Sequence, residues 1–291
     1  MRVTTAFFIL LLIAGAFILG AAIFLTAYAQ RKGEIMNEQI KAVSAPEVNG
    51  VNDLTITVVY DNNPYKEGLE TAWGFSCLIT GAEKTILFDT GGDGSILLNN
   101  MGKLTIDPNS IELVVLSHIH GDHTGGLGGF LKKNANVTVY LPKSFPKSFK
   151  DDVKSCGSKI VEVERPLEIC ENVYSTGQLG KLIKEQSLIV RTNNGLIVIT
   201  GCAHPDIVKI VSTAKGLLKD DILFVMGGFH LEWSTKGKLE KIISAFKKLG
   251  VRYAGPCHCS GEKARSLFEK RFGKNYIKSG AGKVITLADL R

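Results

Sequence analysis

Three histidines and an aspartate fall within six positions of one another, His118, His120, Asp122 and His123, in the stretch SHIHGDHTGGL at residues 117–127. Imidazole nitrogens and carboxylate oxygens suit zinc and its neighbours among the divalent metals. Four such donors can converge from one short segment only if the backbone turns sharply. Gly121, Gly125 and Gly126 supply that freedom. A polar surface loop is the plainer reading, but the whole chain of 291 residues holds six histidines, and chance would have to gather half of them here.

The elements that must position these residues are legible around them. The apolar run Leu113, Val114, Val115, Leu116 directly before the loop reads as a buried strand. The same order, strand then histidine then helix, returns three times. Residues 196–200 lead to Gly201, Cys202, Ala203 and His204, with Pro205 fitting the first turn of a helix that runs to residue 218. Residues 221–226 lead to Gly227, Gly228, Phe229 and His230, and residues 251–256 to Cys257, His258 and Cys259 before a helix at 262–272. Asn193, Asn194 and Gly195 form the tight turn of a hairpin. A helix at 127–133 is expected to set its N-terminus against the metal loop, where backbone N–H groups face an anion.

The loop resembles the HxHxDH signature of the metallo-β-lactamase superfamily, and the likeness runs from about residue 54 to the C-terminus. It implies an α/β fold, a four-layer αβ/βα sandwich with metals at one edge between two sheets. It implies two divalent ions, zinc first, with magnesium or manganese as the other candidates. His118 and His120 map to the first ion, Asp122 and His123 to the second. TILFDTG at residues 85–91 looks like the family strand whose terminal aspartate, here Asp89, orients the metal loop. Two positions depart from the general pattern. Many members carry a histidine just before a segment like 186–188 and an aspartate where this chain has Cys202; residues 180–186 offer only Lys181, Lys184, Glu185 and Gln186 as side chains of that kind. His204 is therefore the candidate third ligand of the first ion, and His258 the family's last ligand, on the second. Cys202 reads equally as a thiolate approaching both metals or as a small buried residue. Cys257 and Cys259 flank His258, and strand alternation would turn both away from it as structural residues. His230 is a metal ligand, a general acid or substrate binder, or a packed core histidine; its place after two glycines favours the site.

TGC-x-H at 200–204, GGFHL at 227–231 and HC-x-G at 258–261 together resemble one branch of the superfamily, which includes the dihydropterin–ribofuranosylaminobenzene 5′-phosphate synthases of methanopterin biosynthesis. That likeness implies a small, phosphate-bearing anionic substrate, with Asp122 and His230 as the catalytic pair. A dinuclear metallohydrolase of a phosphoester, lactone or thioester is the alternative, and a non-catalytic metal or ligand sensor held at the membrane is a third.

Composition sets the bounds. A hydrophobic share of 45% supplies a large core and excludes a disordered chain, while a net charge of +7 weakly favours anionic partners. Lys143, Lys147, Lys150 and Lys154 recur at near-helical spacing; a solvated face is the reading, and with no other basic insertion nucleic acid is not an expected partner. Trp73, in the polar loop 61–74, is expected to pack. Residues 3–29 hold no charged side chain and exceed the ~20 residues that cross a bilayer. They read as a single N-terminal membrane helix, with secretion after cleavage behind Ala29 as the alternative. Arg2 before the run and Arg31, Lys32 and Lys41 after it leave its orientation open. The organisation is thus anchor or signal at 1–29, linker at 30–52 and catalytic domain at 53–291. Six cysteines at uneven spacings do not demand disulfides.

Overall fold

The computed structural model describes residues 50–291. The expected membrane or signal segment, and the linker as far as residue 49, lie outside the described residues. Among the described residues no helix is long and apolar enough to cross a membrane.

The first sheet is built from β1 (Thr55–Asp61), β2 (Phe75–Thr80), β3 (Ile86–Phe88), β4 (Leu113–Val115), β5 (Thr138–Pro142), β6 (Lys159–Val163) and β13 (Val284–Thr286). Its order is β13-β1-β2-β3-β4-β5-β6. The second contains β7 (Leu167–Cys170), β8 (Val173–Ser175), β9 (Leu188–Thr192), β10 (Gly195–Thr200), β11 (Ile222–Gly228) and β12 (Tyr253–Cys257), in the order β12-β11-β10-β9-β8-β7. β7 and β13 were not anticipated by the sequence pattern. Both are short edge strands, and neither carries an apolar run long enough to signal itself.

Side-chain alternation divides the core. Leu113 and Val115 point between the sheets, meeting Phe88, Val58 and Phe75 from the first and Val190, Ile197, Ile199 and Met226 from the second. Val114 and Leu116 point the other way, toward Leu97 and Met101 of α1 (Gly94–Lys103) and Leu127 and Phe130 of α3 (Leu127–Leu131), with α2 (Gly121–Thr124) between them in the chain. Strands covered on both faces read as continuous apolar runs, which is why 113–116 and 196–199 look alike in sequence. α4 (Lys147–Ser155) completes the helical layer on the first sheet through Val153. α5 (Ile207–Leu218), α6 (Lys236–Leu249) and α7 (Glu262–Phe272) cover the second sheet. The layers run helix, sheet, sheet, helix.

β3, β4, β5 and β6 run parallel, as do β10, β11 and β12. Ligands in such sheets bind beyond the carboxyl ends of parallel strands. Here the two sets of ends meet: a side chain at Gly201 would fall 2.1 Å from Ser117 Oγ, so the residue after β10 must be glycine for the sheets to close. The chain enters the described domain from the opposite edge, where Val51 bridges to Thr192 beside the β9–β10 turn.

Candidate metal centre

All six histidines come to this one edge. Ring centroids of His118 lie 4.7 Å from His120, 4.2 Å from His123 and 4.7 Å from His204; His123 and His258 are 5.0 Å apart, and His204 and His230 4.6 Å. Two sets of donors form within the cluster. His118, Cys202 and His204 each bring one donor atom within 4.8 Å of the others, and Asp122, His123, Cys202 and His258 do the same. His120 stands beside the first set, its Nδ1 lying 3.1 Å from His118 Nε2 and its ring 4.8 Å from that of His204. Cys202 Sγ belongs to both sets and stands 3.2 Å from His123 Nε2.

One buried carboxylate pins the loop after β4. Asp89 accepts from the Ser117 backbone N–H at 2.7 Å and from Ser117 Oγ at 2.6 Å, and meets His123 Nδ1 at 2.7 Å. The far nitrogen of His123 is thereby turned inward, the usual way a carboxylate fixes the ring of a metal-binding histidine. Ser117 Oγ also meets His118 Nδ1 at 2.9 Å, so His118 presents Nε2. His258, at the end of the other sheet, is held by the first: Asn62 Oδ1, just past β1, contacts His258 Nδ1 at 2.9 Å, and the fully buried Asp61 accepts from the His258 backbone N–H at 3.3 Å. His258 likewise presents Nε2, 3.3 Å from Asp122 Oδ2.

The turn after β10 has its own carboxylate, and the sequence pattern did not mark it as part of the site. Glu185 is buried, and it accepts from the backbone N–H groups of Cys202 (3.0 Å), Ala203 (2.9 Å) and His204 (2.8 Å) and from Thr200 Oγ1 (3.0 Å). Burial pushes its carboxyl up, and the N–H groups of Ala203, His204 and Cys202 oppose this by favouring the charged form.

Backbone strain gathers at the same edge. Asp89 (φ 56°), Ala203 (φ 58°), His230 (φ 53°) and His258 (φ 46°) all occupy the left-handed region that non-glycine residues avoid. Each costs roughly 1–3 kcal/mol and persists only where its surroundings fix it.

The electrostatics suit cation ligation. Burial and the neighbouring His123, His204 and His120 hold His118 well below the ordinary imidazole range, and burial with His230 and His120 pushes His204 down to about 4. Neutral imidazoles are the form that binds metal. Burial works against charge on Asp122, but the adjacent His123 and His258 outweigh it and hold the carboxyl well below its usual range. For His123 burial also opposes charge, and Asp89 overrides it, lifting the group to about 10. Nε2 of His204 is buried with no hydrogen-bond partner, and Nε2 of His258 has the Asp122 carboxylate as its ion-pair partner at 3.3 Å. An orphaned buried nitrogen beside a thiol is costly in a bare protein and is satisfied by a cation. The donor sets therefore fit metal ligation.

Three expectations need correction. Cys259 does not turn away: the left-handed His258 and the short 3-10 turn His258–Ser260 end strand alternation at Cys257, and Cys259 Sγ comes within 4.8 Å of donor atoms of Cys202 and His230. Trp73 is not a packing residue; it is 49% exposed, with its ring 5.0 Å from that of His258. The helix expected at 127–133 ends at 131, and the N–H of its N-cap, Gly126, donates to Gly91 O. The lysine face stands as read: Lys143, Lys147 and Lys150 pair with Glu164, Asp151 and Glu162.

Fold and donor set together define a metal-dependent enzyme class, and comparison with known proteins gives it a name. Residues 74–204 match the family model of the metallo-beta-lactamase superfamily. The chain is 30% identical over 280 residues to 7,8-dihydropterin-6-methyl-4-(beta-D-ribofuranosyl)-aminobenzene-5'-phosphate synthase of Methanocaldococcus jannaschii, covering 79% of this chain and 95% of the relative. An uncharacterized protein of the same archaeon is 28% identical, covering 79% and 99%. A crystal structure described as a metal-dependent hydrolase of the beta-lactamase superfamily superposes with a TM-score of 0.68 at 32% identity, covering 80% of this chain and 98% of the other. This chain belongs to the metallo-β-lactamase superfamily.

Proposed function

We propose that the chain is a two-metal synthase that joins a dihydropterin methylene to a ribosylated aminobenzene phosphate, with diphosphate leaving. The observation that carries this reading is the extent of the likeness to the archaeal synthase: it spans 95% of that relative, so it takes in the ligand loops of both sheets. His118, His120 and His204 would hold one ion and Asp122, His123 and His258 the other; the membership of Cys202 in both donor sets favours a ligand role for its sulfur over a packing role. Zinc suits this mixture of imidazole, carboxylate and thiolate better than magnesium does. Such ions supply Lewis acidity, offsetting charge on a diphosphate as it departs.

The chain's own residues do the rest. Asp122, kept ionised by His123 and His258, holds its carboxylate toward the centre of the site. His230 stands exposed at the mouth, where contact with Cys259 raises its pKa against the effect of burial and so favours the protonated form that a leaving group would use. Trp73, beside His258, offers a flat apolar wall for a ring. In the reaction a bond forms between the aminobenzene partner and the pterin methylene carbon, the carbon–oxygen bond to diphosphate breaks, and the proton displaced from the attacking atom passes to solvent.

The test is the full chain loaded with zinc and given 6-hydroxymethyl-dihydropterin diphosphate with and without the ribofuranosylaminobenzene phosphate. Diphosphate release that requires the second substrate, with the coupled product seen by mass spectrometry, supports the synthase. Release indifferent to it points to the hydrolase, the reading suggested by the crystal structure at 32% identity. Bound metal with no turnover across phosphoester, lactone and thioester panels points to the sensor.

A further inference from the structure

Cys259 is buried, it faces the site against expectation, and the proposed reaction gives its sulfur no contact with substrate. Its Sγ, Cys202 Sγ and one His230 nitrogen lie within 4.8 Å of one another. Two sulfurs and an imidazole form a soft set that selects zinc, cadmium or copper(I) over magnesium or calcium. Both sulfurs are buried and His230 is exposed, so an ion there would have three protein donors and one side open to solvent. The space for the sulfur is made by Gly228, where a Cβ would fall 2.7 Å from Cys259 Sγ. His230 and His258 both hold left-handed backbone conformations in the turns that deliver these groups. The His204 and His230 rings, 4.6 Å apart, set the position directly beside the first donor set.

We propose that Cys202, His230 and Cys259 form a third, thiol-rich metal position adjoining the pair, and that filling it inhibits the enzyme. A metal ion there occupies the His230 side chain at the mouth of the site and draws on the Cys202 sulfur that the other two sets share. The inhibitory part rests on the role given to His230 above; the binding part does not.

The full chain is titrated with cobalt(II) and separately with cadmium(II), reading bound equivalents by native mass spectrometry and the thiolate-to-metal charge-transfer band by absorbance. The expected result is three equivalents in the wild type and two in Cys259→Ser, with a charge-transfer band that weakens in the variant but persists through Cys202. Two equivalents in both proteins, with unchanged absorbance, overturn the proposal. Should Cys259→Ser fail to retain the first two equivalents, His230→Ala takes its place and is expected to lose the third equivalent alone; three equivalents in that variant also overturn it. Turnover, where it exists, should fall as zinc passes the second equivalent in wild type and not in Cys259→Ser. Equal inhibition of both overturns the inhibitory role. Failure of the synthase reading would show as absent turnover, leaving the stoichiometry and absorbance to decide the metal position.

Discussion

The two sheets deliver their ligands in different ways. The first concentrates four donors in residues 118–123 and fixes them through Asp89, which stands at the end of the neighbouring strand and holds Ser117 and His123 together. The second scatters single histidines over three strand ends, at 204, 230 and 258, and fixes the first of these through Glu185, which grips three consecutive backbone N–H groups. Asp89 orients side chains; Glu185 shapes a turn. A carboxylate that orients a ring can be weakened in steps, whereas one that organises a turn leaves several buried N–H groups unpaired when it is lost.

The largest effects should come from the donors themselves, and they test whether the two halves are equal partners. His118→Ala and His204→Ala should each release one metal equivalent and lower turnover on the order of 10³-fold or more, read by metal analysis and steady-state kinetics. If His204→Ala keeps its metal while His118→Ala does not, the second sheet is not a ligand-bearing half and the comparison fails.

The carboxylates come next and should separate. Asp89→Asn keeps the shape of its site but weakens its hold on His123, and metal affinity should fall by about 10–100-fold. Glu185→Ala should cost about 2–4 kcal/mol in denaturant unfolding of the metal-free chain, since the N–H groups of Cys202, Ala203 and His204 lose their acceptor in a buried turn. Unchanged stability in Glu185→Ala would show that Glu185 only orients, as Asp89 does. Asn62→Ala, which frees one edge of the His258 ring, should lower affinity for one of the two equivalents by roughly 10-fold and leave the other in place.

The same contrast explains what could be read in the sequence. The first sheet's site was legible because its donors are local: a period of two, a glycine and a preceding apolar strand occupy a dozen positions, and Asp89 closes a strand of its own. The second sheet's histidines were legible as a repeated order, strand then histidine then helix. Their support was not. Glu185 sits in a polar run with lysines and reads as a surface charge, because the N–H groups it holds lie 17 to 19 residues further on. Cys259 was misplaced because alternation was carried through His258, whose positive φ ends it. Trp73 looked like packing because a ring contact across 185 positions leaves no local pattern.

The smallest effect sharpens the comparison in the metal-free chain. In the folded protein burial and neighbouring His230 push His204 to about 4, while the unfolded chain protonates it near 6.5. Between these values the unfolded chain binds more protons, so stability falls as pH drops from 6.5 toward 4. His118, also held down by burial and neighbouring imidazoles, acts in the same direction. His123 behaves oppositely: despite burial, Asp89 lifts it to about 10, so its contribution is fully present below pH 6.5 and fades as pH rises through 10. Stability should therefore decline on both sides of neutrality for separate reasons, the acid limb involving the turn that Glu185 shapes and the alkaline limb the ring that Asp89 orients. His204 is half-buried, so solvent screening keeps its share small, a shift of a few degrees in Tm. Thermal melts across pH should show the acid limb flattened in His204→Ala and the alkaline limb flattened in Asp89→Asn. Loss of both limbs in either variant would mean that the two halves titrate as one network, and that the division between an oriented loop and a shaped turn does not extend to their protons.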